Sequence, residues 1–159
     1  MRLTNFTDYS LRVLLYLAVR PGERATIGEI TTAYHISENH LMKVVHFLGK
    51  AEVLANVRGK GGGLMLGRPA ESINVGEVVR LTESRAMPAE CFDHQLNRCV
   101  VTPVCHLKGI YAEAVRAFYA VLDRYTLSDV ACNPEQLANI LYAPAENKRT
   151  QRAPTRLSS

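Results

Sequence analysis

Three of the four cysteines, Cys91, Cys99 and Cys105, fall within fifteen residues in the pattern C-x7-C-x5-C, and Cys132 stands apart. In a chain without a secretory leader, such a group points to a metal or redox centre rather than a disulfide scaffold. Structural zinc sites use tighter knuckles of paired cysteines. Wide, irregular spacing with three thiolates suits an iron–sulfur cluster whose remaining ligand comes from elsewhere. His94 and His106 sit near enough in sequence to complete such a site, although a histidine beside a ligand loop is more often a surface group. Cys132, alone in an apolar helical stretch, reads as a small buried hydrophobe.

A second group of chemically distinctive residues is Arg58-Gly59-Lys60-Gly61-Gly62-Gly63. It fails as a phosphate loop: Gly61 follows Gly59-Lys60 where a Walker motif requires Ser or Thr after its Gly-Lys. No glycine stands at the sixth position, so it is not a dinucleotide fingerprint either. As the tip of a hairpin it makes sense, with glycines letting the backbone approach a duplex while Arg58 and Lys60 meet phosphates or the minor groove. Upstream, Ser37, Glu38, Asn39, His40 and Lys43 cluster at the start of an amphipathic segment. Side chains there are placed to read base edges, with Asn suited to adenine and Glu to a cytosine amino group.

The elements that must position these residues are legible from periodicity. Phe6, Tyr9, Val13, Leu14 and Leu17 place a helix over 5–19, which Arg20-Pro21-Gly22 stops. Thr26 and Glu29 form a capping box that opens a short helix running to about Tyr34. Ser37 is the expected cap of the next helix, whose apolar face is Leu41, Val44, Val45 and Leu48. The turn between them, His35-Ile36-Ser37, makes a helix-turn-helix pattern. Strand-like Val53–Arg58 and Leu64–Leu66 flank the glycine tip, completing the order of a winged helix. Asn74 caps a further helix that buries Val75, Val78, Val79 and Leu81.

Residues 84–103 break all periodicity. A stripe then runs from Leu107 through Ile110, Tyr111, Ala114, Phe118, Val121 and Leu122 to Tyr125. A stripe of that length pairs with a copy of itself or packs on its own domain. Ser128–Leu141 reads as one last helical stretch interrupted by Pro134. The expected fold is mainly α with a small β-hairpin: a winged helix-turn-helix plus a long dimerisation helix. The expected organisation is a DNA-binding domain over 1–83 and a cysteine loop over 84–105. A dimerisation helix and C-terminal helical segment follow over 106–142, then a disordered basic tail over 143–159.

Charge divides unevenly along the 159 residues. Residues 1–70 carry 9 Lys+Arg against 5 Asp+Glu, residues 71–142 carry 6 against 9, and the tail carries 4 against 1. A basic first half favours an anionic partner, with nucleic acid the leading candidate. The longest apolar run, Val13–Val19, is too short to span a bilayer, so no membrane partner is expected. Arg20-Pro21 follows that run at once and no cleavage site is present, so the chain reads as cytoplasmic. No nucleophile stands paired with a base and the acidic residues are scattered, so no enzyme is expected.

Several of these residues together resemble the winged-helix iron–sulfur regulators, the family that includes IscR-like members and nitric-oxide-sensing repressors of the NsrR type. The resemblance lies in the opening Met1-Arg2-Leu3-Thr4-Asn5-Phe6-Thr7-Asp8-Tyr9, the Arg58–Gly63 tip, the three-cysteine loop and Tyr125-Thr126-Leu127-Ser128-Asp129. It covers about residues 1–142. IscR-like members carry a ligating histidine three residues after the third cysteine; Lys108 stands there, which favours the nitric-oxide-sensing branch. The resemblance implies a homodimer with one cluster per subunit, 2Fe–2S or 4Fe–4S, held by Cys91, Cys99 and Cys105. It implies that Asp8 reaches the cluster of the partner subunit, with Arg12 nearby. It also implies double-stranded DNA with a palindromic operator as partner, and nitric oxide as the signal that releases it. The alternatives are a regulator that senses cluster status or redox state, and, from a different class, a zinc-stabilised interaction module.

Overall fold

Thr4 opens the first helix by accepting a hydrogen bond from the Thr7 N–H, and α1 runs from Asn5 to Ala18. The structure, a computed structural model, describes residues 3–59, 61–83, 88–93 and 95–143. Lys60, His94 and the tail from residue 144 onward lie outside the described residues. The capping box at Thr26 and Glu29 is formed in both directions and starts α2 (Ile27–Tyr34). His35 ends α2 in the left-handed conformation at φ 55°, which turns the chain into α3 (Glu38–Lys50). Ser37 stands at the α3 N-cap but makes no capping bond. Its hydroxyl instead lies 3.0 Å from His40 Nδ1, so the expected cap is replaced by a side-chain pair.

The wing follows. Strands β1 (Leu54–Val57) and β2 (Gly63–Leu66) pair antiparallel, from Leu54 opposite Leu66 to Val57 opposite Gly63. Ala25 adds a third edge through two backbone hydrogen bonds to Leu64, of 3.0 and 2.8 Å. At the tip, Gly59 and Gly61 sit at φ 98° and 77°, where a side chain would be strained. A Cβ on Gly62 would collide with the Val57 carbonyl, so the turn closes only because glycine is there.

Asn74 caps α4 (Val75–Thr82) by accepting from the Glu77 N–H at 3.0 Å, as its position foretold. The core then gathers Val13, Leu14 and Leu17 of α1, Ile30 of α2, and Leu41, Val44 and Leu48 of α3. Leu54 and Leu64 join from the wing, and Val78 from α4. The long helix α5 (His106–Leu122) starts at Cys105, its N-cap, and buries none of its residues within one chain. Beyond it Pro134 does not interrupt a helix. It begins one, because proline fits the first turn, where no N–H partner is needed. The C-terminal segment is therefore two helices, α6 (Leu127–Val130), with its own capping box at Thr126, and α7 (Pro134–Leu141). Both return to the N-terminal core: Leu127 and Leu141 are buried in it, and the Tyr142 hydroxyl donates to the Tyr16 carbonyl at 2.8 Å.

Candidate functional site

The helix-turn-helix presents one side of α3 outward. Leu41, Val44, Val45 and Leu48 hold the other side in the core, which leaves Glu38, Asn39, Met42, Lys43, His46 and Lys50 exposed. His40 is exposed too, but its ring faces the Tyr9 ring at 6.2 Å and is bonded to Ser37. So Asn39 and Lys43 lie on the open face, while Ser37 and His40 are tied together beside α1. The edge-to-face pair of Phe6 and Phe47, centroids 5.2 Å apart, locks α1 against α3 behind this face. Met42 and His46 were missed from the sequence, although the 3.6-residue period that buried Leu41 and Val45 also turns them outward.

Arg58 is exposed at the base of the wing tip. A further cation, Arg24, was not singled out from sequence: its guanidinium donates to the Gly61 carbonyl at 2.7 Å and pins the tip against the Ala25 edge. Nothing in the local pattern marks Arg24, because the contact spans 37 positions.

Cys91, Cys99 and Cys105 are free and half-buried, each on the stretch between α4 and α5. That stretch is folded by its own side chains. Asp93 Oδ1 accepts from the Gln95 and Leu96 N–H groups at 2.8 and 3.1 Å. The Asn97 side chain accepts from the Cys99 N–H at 3.0 Å, and the Thr102 hydroxyl donates to the Cys99 carbonyl at 2.8 Å. The Cys99 backbone is therefore held at both its polar atoms. Cys105 stands at the N-terminus of a 17-residue helix, whose unpaired N–H groups favour a negatively charged ligand atom. Among the described residues no three His, Cys, Asp or Glu side chains converge as a metal site. By donor type, these partly accessible thiols fit a thiophilic metal centre rather than a hard cation. Cys132 is exposed in the turn between α6 and α7, not buried as the apolar context suggested. The broken helix around Pro134 leaves it outside.

Asp8, in the first turn of α1, is bound by Arg12 one turn on, with Nη2–Oδ2 at 2.8 Å and Nε–Oδ1 at 3.1 Å. The Arg12 guanidinium also lies 5.7 Å from the centroid of the Tyr34 ring, at the end of α2. Burial raises the Tyr34 phenol above its ordinary value, and its oxygen has no hydrogen-bond partner among the described residues. On the same helix start, Glu83 Oε1 accepts three bonds: from the Thr4 N–H at 2.6 Å, the Thr4 hydroxyl at 2.8 Å and the Thr7 hydroxyl. Burial pushes this carboxyl up, but the hydrogen bonds from Thr7 and Thr4 outweigh it and hold the group below its ordinary value. Glu83 ends α4, so the C-terminal end of α4 is fastened to the start of α1.

A family model described as Rrf2, an iron-dependent transcriptional regulator, matches residues 3–133. The chain is similar to the HTH-type transcriptional regulator NsrR of Bacillus subtilis (strain 168), with 52% identity over 142 residues, covering 89% of this chain and 97% of that protein. A regulator of the same name from Halalkalibacterium halodurans is 44% identical, with the same coverage of both chains. Among solved structures, CymR of Staphylococcus aureus superposes with a TM-score of 0.66 at 26% identity, covering 80% of this chain and 96% of that one. T. potens IscR shares the fold, with a TM-score of 0.67 at 23% identity and coverage of 86% and 90%.

Proposed function

Because the chain belongs to the Rrf2 family, it is a transcriptional regulator and not an enzyme, and we propose that it is a nitric-oxide-sensing repressor. It grips a palindromic operator as a homodimer in the cytoplasm, and it releases that operator when nitric oxide reaches an iron–sulfur cluster, one per subunit. Cys91, Cys99 and Cys105 hold the cluster, and Asp8 contributes from the partner subunit. When bound, the cluster supplies thiolate-held iron, a soft target for a small radical that no protein side chain matches.

The chain's own residues carry the rest. Asn39 and Lys43 on α3, with Arg58 and Lys60 on the wing, meet the duplex; Glu38 favours the N-terminus of α3 or accepts from a cytosine. Arg24 keeps the wing tip in place through the Gly61 carbonyl. The exposed face of α5, with Leu107, Ile110, Tyr111 and Val121 all open to solvent in one chain, suits a second copy of itself. Glu83 fastens the end of α4 to the start of α1.

The observation that carries this reading is the set of three free, half-buried thiols on a self-organised stretch placed between a winged helix and an unpaired apolar helix. The relatives named NsrR support the nitric oxide assignment over a redox or cluster-status sensor. Anaerobic purification tests it. The expected product is coloured, with iron and sulfide bound, and it loses affinity for a DNA site selected from a random-sequence pool when nitric oxide is added. A colourless protein with stoichiometric zinc, or DNA binding indifferent to nitric oxide, overturns it.

A further inference from the structure

We propose that Met42 is a specificity-determining residue that reads the 5-methyl group of a thymine in the major groove; this rests on the DNA-binding reading above. The outward face of α3 is polar and basic along Asn39, Lys43, His46 and Lys50, and Met42, one turn after Asn39 and one turn before His46, stands exposed at its flank with 45% of its surface open. It has no place in the core, which Leu41, Val44, Val45 and Leu48 fill from the opposite side of the same helix. Asn39, Met42, Lys43 and His46 line one open hollow on this face. A hollow that sets a thioether beside an amide, an imidazole and a lysine is complementary to a surface that is anionic outside and locally apolar within.

Duplex DNA offers that combination. Its major groove admits an α-helix between two phosphate rails, and the apolar feature among its base edges is the thymine methyl. With α3 seated there, Lys43 and Lys50, which share one side of the helix, face one rail while Met42, about a quarter turn away, meets the base edges. The charge balance agrees, since residues 1–70 carry 9 cations against 5 anions. Asn39 and Met42 are three residues apart, about 4.5 Å along the helix, close to one base step of about 3.4 Å. Asn39 suits the N6 and N7 edge of an adenine. The face therefore selects an adenine contact beside a thymine contact in each half-site, where a polar residue at position 42 would select for a hydrogen bond instead.

A uracil scan tests this with the full chain purified anaerobically. A duplex site is first selected from a random-sequence pool by the parent protein. Each thymine is then replaced singly by deoxyuridine, which removes the methyl group and keeps every hydrogen-bonding atom. At one thymine per half-site the parent is expected to lose about fourfold in affinity, the equivalent of about 0.8 kcal/mol for one buried methyl group. Met42→Ala is expected to lose nothing further on that replacement, and Met42→Leu to keep the penalty. Both variants should melt with the parent, which separates readout from folding. If no thymine methyl matters to the parent, or if Met42→Ala shows the same penalty, the inference is overturned while DNA binding stands. If the parent selects no sequence at all, the DNA-binding reading falls and the inference falls with it.

Discussion

Glu83 shows how one side chain joins two parts of the chain that are 76 to 79 positions apart. A buried carboxylate costs free energy unless hydrogen bonds repay it, and here three donors from Thr4 and Thr7 do so. Because the folded carboxyl titrates below its unfolded value of 4.5, its contribution is complete above that value and fades as the pH falls through the lowered one. Glu83→Gln should therefore cost about 1–2 kcal/mol near neutral pH, with the gap to the parent starting to shrink below pH 4.5, where the unfolded carboxyl is protonated, and closing once the pH falls through the lowered folded value. Denaturant melts across that range check it; a gap unchanged down to pH 3 would sink the assignment. The thiols divide differently. Cys91→Ser, Cys99→Ser and Cys105→Ser should each purify with less iron than the parent, while Cys132→Ser, exposed and apart, should match it in iron content and colour. The cysteines, Asn39 and Lys43 can be singled out as candidates in the sequence because their chemistry is local and their spacing is short. Glu83 and Arg24 were not, since a carboxylate or guanidinium shows its partner only after folding has closed the distance.

At the scale of elements, the helices that announced themselves were those with both a cap and a periodic apolar face. Thr26 and Asn74 formed the bonds their positions implied; Ser37 did not, because His40 competes for its hydroxyl. Thr26→Ala should consequently cost about 1 kcal/mol of stability, and Ser37→Ala well under half of that. Equal losses in thermal melts would contradict the difference in capping. The division around Pro134 escaped the pattern because proline breaks an interior turn yet opens a first one, and Asn133 gives no cap bond to mark the start. The third edge of the wing at Ala25 escaped too, since a single bridging residue leaves no period. α5 is the element that a single chain does not explain. Its side chains follow a core-like stripe, yet none is buried. Ile110, with 60% of its surface exposed, lies in that stripe. Ile110→Glu should leave the winged domain folded, because Ile110 contributes nothing to its core. It should convert the sedimenting species from dimer to monomer. A parent that sediments as a monomer would remove the pairing role from α5.

Across the whole molecule, the proposed function requires events at the cysteines to be felt at α3, which is packed on α1. Asp8 stands where such coupling would act. Its helix is capped by Thr4 and carries Thr7, both bonded to Glu83 at the end of α4, and it carries Phe6, which packs on Phe47 of α3. Its carboxylate is already engaged by Arg12, whose guanidinium lies over Tyr34 at the end of α2. That ion pair is about half exposed on one helix face, and pairs of this kind are worth roughly 0.3–0.5 kcal/mol. Exchanging it for an iron of the partner subunit's cluster would therefore cost little. A coupling of about 1–3 kcal/mol is enough for a 5–150-fold change in DNA affinity. Asp8→Ala should melt within about 0.5 kcal/mol of the parent, because only a surface pair is lost. It should still bind iron through its three thiols. Its visible absorbance should differ from the parent's, and nitric oxide should weaken its grip on a selected DNA site by a smaller factor. Arg12→Ala, which frees the carboxylate, should keep the parent's absorbance. If Asp8→Ala matched the parent in spectrum, DNA affinity and nitric oxide response, α1 would be a structural helix only, and the coupling would have to run through Glu83 alone.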